Sequence, residues 1–65
     1  MGSGELAPGA IIRSKHARTR RRLVGRLVIG DEDLWVVETL GTYPSFYTIP
    51  AVVVEQEWVV EHETD

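Results

Sequence analysis

Sixty-five residues with a formal net charge of −3 and no cysteine make one small domain, without disulfides or thiolate metal sites. The charge is split along the chain: all seven basic residues lie within positions 13–26, and nine of the ten acidic residues lie within positions 31–65. Such a dipolar chain points to an electrostatic contact, with an anionic partner or between its own halves, and its acidic balance argues against a long contact with a nucleic-acid duplex.

Nine Val, four Ile and five Thr favour strands, and Gly and Pro cut the chain into short pieces, so an all-β domain is expected. Residues 1–8 are expected to be flexible and carry no functional expectation. The first strand is expected over residues 10–14, followed by a polar, basic connection over 15–21. The second strand runs over 22–29, with Leu23, Gly25, Leu27 and Ile29 on one face and Val24, Arg26 and Val28 on the other. Gly25 inside it predicts a bulge or a barrel corner. A helix over residues 16–28 is the alternative: Ala17, Arg18 and the run from Arg20 to Leu23 tolerate it, whereas Gly25 and the following Val-Ile-Gly oppose it.

Residues 30–33 read as a hairpin turn. The third strand is expected over 34–40, with Leu34, Val36, Glu38 and Leu40 on one face and Trp35, Val37 and Thr39 on the other. A loop over 41–45 leads to a short strand, 46–49, ended by Pro50. Residues 51–53 are expected to form a single 3₁₀ turn, because Pro fits the first position of such a turn. The last strand is expected over 54–61, where Val54, Gln56, Trp58 and Val60 alternate with Glu55, Glu57, Val59 and Glu61. Residues 62–65 close the chain as an acidic, frayed tail.

A domain this short buries only about 60% of the surface its unfolded chain exposes, so oligomerisation is the expected supplement to its stability. His16 and His62 are too few for a histidine-only metal site, and no cofactor is expected. The opening lacks a basic segment followed by an apolar core, and no apolar run approaches the length of a membrane span, so a cytoplasmic protein is expected. One Lys against six Arg, with no Asn, is a composition that GC-rich genomes tend to encode, such as those of actinobacteria and their phages.

Five short strands, a long first loop and a Pro-marked turn before the last strand resemble an SH3-like small barrel spanning residues 9–61. The run Phe46-Tyr47-Thr48-Ile49-Pro50-Ala51-Val52-Val53-Val54-Glu55 carries most of that likeness, together with the opening Gly9-Ala10-Ile11-Ile12-Arg13. The chain is also similar in pattern to the plasmid-encoded type II dihydrofolate reductases, over about 45 residues. Tyr47 and Ile49 stand where that family carries the Gln and Tyr of its shared pore. The resemblance therefore implies a barrel and does not carry over the reductase activity.

Three groups of residues are candidates for function. Arg18, Arg20, Arg21, Arg22 and Arg26 carry planar guanidinium forks that match carboxylates and phosphates; the plain alternative is a solvated loop paired with the acidic half. The aromatics Trp35, Tyr43, Phe46, Tyr47 and Trp58 supply stacking or groove surfaces, although most must be core in so small a protein. Tyr43, in a loop, is the ring most expected to be exposed, and one of Trp35 and Trp58 is expected to be exposed as well. The carboxylates Asp31, Glu32 and Asp33 read as a solvated turn without calcium-loop spacing, and Glu38 is expected to pair with Arg26 across the hairpin. No nucleophile–base arrangement and no phosphate-binding Gly-rich loop stands out, so no enzymatic activity is expected. The expected function is a binding or adaptor module that contacts a protein through its Arg-rich loop and the exposed aromatics Tyr43 and Tyr47. Nucleic-acid binding through the Arg cluster and self-association are the alternatives.

Overall fold

Runs of β-branched and aromatic residues, punctuated by Gly and Pro, build one sheet and one short helix in the computed structural model, which describes residues 6–61. The elements are β1 (Ile11–Ser14), β2 (Arg20–Ile29), β3 (Glu32–Thr39), β4 (Phe46–Pro50), α1 (Ala51–Glu57) and β5 (Trp58–Val60). The fold is mostly β. Its five strands form a single antiparallel sheet in the order β4-β3-β2-β1-β5, open at its two edge strands. The expected tail over 62–65 lies outside the described residues, as do residues 1–5. Of the start expected to be flexible, Leu6 packs against the core.

β2 is longer than expected and is the spine of the sheet, pairing with both β1 and β3. It begins at Arg20, so Arg20 and Arg21 are strand residues and the connection shrinks to residues 15–19. The helix alternative over 16–28 is thereby displaced: Leu23 at the centre of the segment is fully buried between two partner strands, and tertiary burial outweighs the weak helix preference of the arginines. Gly30 and Asp31 alone form the turn to β3, with Gly30 at φ 59°. A positive φ at the first position of a two-residue hairpin loop is what Gly supplies without steric cost.

The ladder between β2 and β3 shifts register between Leu23 and Gly25, so the expected bulge is present. Its consequence for the faces corrects the simple alternation. Leu23 lies opposite Val37 on the buried face, but beyond the bulge Leu27 lies opposite Leu34 and Arg26 opposite Trp35. One extra residue reverses the alternation. Leu23 thus points to the core, while Gly25, Leu27 and Ile29 share the other face.

The largest departure is at the end of the chain. Pro50 caps a helix of 7 residues, Ala51–Glu57, in place of a 3₁₀ turn and the first half of a strand, and β5 keeps only Trp58–Val60. Ala51 and Val54 are the buried residues of that helix. Their spacing, continued to Trp58, follows a helical stripe as well as the apolar positions follow a strand. Burial of Ala51 and Val54 against the sheet selects the helix.

Ile12, Leu23, Trp35, Val37, Ile49, Ala51 and Val54 form the core. Trp35 is buried and Trp58 is partly buried, so neither indole is exposed. The Trp35 indole N–H has no hydrogen-bond partner among the described residues. A core of so few side chains leaves little reserve. Leu23→Ala is expected to cost about 2–5 kcal/mol, about half of the roughly 3–10 kcal/mol available to a chain of this length. Urea unfolding monitored by Trp fluorescence should show the variant's midpoint at about half the wild-type urea concentration or lower.

Candidate functional site at the arginine and aromatic end of the sheet

The basic residues of β2 fall on two faces, by alternation before the bulge and by its reversal at Arg26. Arg20 and Arg22 share the face away from the core, with Arg13 directly opposite Arg20 and Ile11 opposite Arg22. Arg21, between them, turns to the core side at the rim of the sheet. Directly opposed like charges are unfavourable in a sheet, and carboxylates from the acidic half offset them here. Arg20 Nε donates to Glu61 Oε1 at 2.8 Å, and Arg22 Nη1 donates to Glu38 Oε1 at 3.2 Å. Arg22, Glu38 and Phe46 form one row across β2, β3 and β4.

Glu38 therefore pairs with Arg22 and not with Arg26. Without the bulge, Arg22 and Arg26 would share a face. With it, Arg26 lies on the core side, over the Trp35 ring at 4.9 Å from the centroid, and forms a two-pronged pair with Asp33. The Arg26 pKa is raised above the ordinary arginine value, first by the hydrogen bond to Asp33, against the opposing effect of desolvation. Arg26 covers the far end of the core and does not join the other arginines. His16, in the first loop, pairs with Glu57 at the end of α1. Glu55 and Glu57, expected on the last strand, stand on the helix instead.

Arg21 is where the basic cluster meets the aromatics. Its Nε donates to Tyr47 Oη at 2.7 Å, and its Nη1 donates to the Arg20 carbonyl at 2.7 Å. The guanidinium carbon lies 5.7 Å from the centroid of the Tyr47 ring, within the range of a cation–π contact. Tyr43, in the loop between β3 and β4, is 90% exposed, and Phe46 is 61% exposed at the start of β4. The structure thus gathers Arg20, Arg21, Arg22, Tyr43 and Tyr47 at one end of the sheet, and leaves Arg18 in the loop over 15–19 and Arg26 at the opposite end.

Two exposures are not legible in the sequence. Phe46, one of the five candidate aromatics, is exposed, which follows only once β4 is known to be an edge strand. Val28 and Ile29 are 66% and 58% exposed; beyond the bulge they lie on opposite faces, and their place at the tip of the β2–β3 hairpin exposes both. Among the described residues, no group of three or more His, Cys, Asp or Glu side chains could hold a metal ion, and no helix is long and apolar enough to cross a membrane. The chain matches no protein-family model, no curated protein and no solved structure.

Exposed ion pairs of this kind contribute at most about 1 kcal/mol each, so their role is to neutralise the arginines more than to hold the fold. A Glu38→Gln, Glu61→Gln double variant is expected to lose less than about 2 kcal/mol of stability by urea unfolding. The same variant should elute from immobilised heparin at higher salt than the wild type, because Arg20 and Arg22 are released.

Proposed function

We propose that this chain is an SH3-like small β-barrel that serves as a binding module, and that its partner is a protein. The arrangement that supports the barrel is the antiparallel run of β1 to β4, the helical turn after Pro50, and the return of β5 beside β1. The observation that carries the functional reading is the Arg21–Tyr47 pair, at the end of the sheet that also carries the exposed Tyr43 and, on the opposite face, the exposed Phe46. Tyr, Trp and Arg are the side chains that dominate the energetics of protein interfaces. An Arg held by a phenol oxygen and a backbone carbonyl keeps its orientation before binding, which lowers the entropy lost on association. The cytoplasm is the compartment this reading takes.

A nucleic-acid partner is the second reading, and a different observation favours it. Arg13, Lys15 and Arg18 are exposed, and none has a carboxylate within ion-pairing distance among the described residues. These three, with Arg21 held by Tyr47 and not by a carboxylate, are few, however, and Arg20, Arg22 and Arg26 are already paired with carboxylates of the same chain. Contact with phosphate would exchange one set of ion pairs for another.

Two measurements separate these readings. A photo-crosslinking amino acid at position 43 should join the chain to a protein, and Arg21→Ala and Tyr47→Ala should each abolish that product. A crosslink unchanged in both variants would contradict the site. Fluorescence anisotropy of labelled RNA and DNA over a salt series should show a log–log slope shallower than about −1; a slope near −4.5, the value for about five phosphate contacts, would establish the nucleic-acid reading instead.

A further inference from the structure

The two edges of the sheet are treated differently. β5 has only three residues and is flanked by Glu57 and Glu61, and a short edge bordered by charge resists pairing with another strand. β4 has five residues and no charge. The whole run from Thr39 to Val54 lacks a charged side chain, in a chain where Lys, Arg, Asp and Glu make up 26% of the residues.

The backbone of β4 can be assigned strand face by strand face. Thr39 N donates to Ser45 O at 2.9 Å, and the β3–β4 register runs without interruption from Leu34↔Pro50 to Glu38↔Phe46. Backbone groups of an antiparallel strand alternate between its two neighbours. Ser45, Tyr47 and Ile49 therefore direct their N–H and C=O groups at β3, and Phe46, Thr48 and Pro50 direct theirs outward. Pro50 occupies an outward position, where its missing N–H leaves no gap in the ladder. Among the described residues, no backbone group accepts from or donates to the outward groups of Phe46 and Thr48.

We propose that β4 is a self-pairing edge, and that its occupant is β4 of a second copy of this chain, antiparallel about a two-fold axis at Tyr47. Pro44 and Pro50 stand at equal sequence distance on either side of Tyr47 and delimit the window. In that register Phe46 of one copy faces Thr48 of the other, twice. Each facing pair exchanges two backbone hydrogen bonds, so all four outward amide and carbonyl pairs of the window are satisfied. Tyr47 meets its own counterpart at the closer, non-hydrogen-bonded position, where aromatic pairs stabilise a sheet. A two-fold interface sets every residue against its own symmetry mate or close to it; a charge in the window would repel its copy, and the window has none. The result is a continuous sheet running through both copies, which adds burial to a domain short of it. This inference does not rest on the partner-binding reading. It uses backbone groups, and it sets two Arg21–Tyr47 pairs side by side.

The test is sedimentation equilibrium between about 10 μM and about 1 mM, at low salt and at about 1 M salt. A dimer is expected at both salts and is no weaker at high salt, because the paired backbone is uncharged and salt screens the two Arg21 guanidinium groups that the axis brings together. Thr48→Pro deletes an outward N–H that the monomer does not use, and should weaken the dimer by at least about tenfold while leaving the circular dichroism spectrum unchanged. Amide exchange on the wild type decides the matter should that variant fail to fold. The Phe46 and Thr48 amides should be protected at high concentration and exchange freely at low concentration, with Tyr47 and Ile49 protected at both. A monomer at every concentration, a dimer that dissociates in high salt, or a dimer in which Phe46 and Thr48 exchange freely would each overturn the proposal. A position-43 product with the mass of two copies of this chain reports the edge pairing and one with a different protein reports the partner site, so the two readings fail separately.

Discussion

The register shift between Leu23 and Gly25 is the constraint on which the rest of this structure depends. β2 runs for ten residues and contacts both neighbours, so a single inserted residue in it resets the faces of everything downstream. On one side of the bulge, Leu23 enters the core, and Arg20 and Arg22 face away from it. On the other side, Arg26 turns inward over Trp35, and the apolar tip at Val28 and Ile29 is left in solvent. A bulge also bends its strand and increases its twist. That bend is consistent with one sheet wrapping a core of seven residues together with a helix of two turns.

The split charge of the chain finds its main outlet inside the molecule. Arg20, Arg22 and Arg26 pair with Glu61, Glu38 and Asp33, each a carboxylate from the acidic half. None of these pairs is buried, so they contribute little to stability. Their effect is to cancel part of the field that a run of arginines would otherwise project, at three of the seven basic residues, and field is what draws polyanions. What remains distinctive at that end of the sheet is chemical shape: a held guanidinium against a phenol on one face, an exposed Phe46 on the other, and the exposed Tyr43 in the adjoining loop.

Much of this was legible in the sequence, for reasons that can be traced to particular residues. Gly30 and Gly25 announced the hairpin and the bulge, because backbone conformation at those points is a local property. Tyr43, between Gly41 and Pro44, read correctly as exposed. The helix over Ala51–Glu57 did not, because Val54 and Trp58 satisfy a period of two and a helical period alike, and only burial against the sheet distinguishes them. The strand character of Arg20 and Arg21 was hidden by their polarity, since a loop was the simplest place for a basic run. Glu38 pairs with Arg22 and not with Arg26 because the bulge that Gly25 predicts also reverses the faces beyond it and carries Arg26 to the core side.

Nuclear Overhauser contacts across β2 and β3 test this account most directly. It requires the Leu23 backbone to lie opposite Val37, and the backbone of Gly25 opposite Val36, with Arg26 side-chain protons near the Trp35 ring. An unshifted ladder that places Arg22 and Arg26 on one face, or sequential helical contacts over residues 16–28, would contradict it and dissolve the site at the Arg21–Tyr47 end.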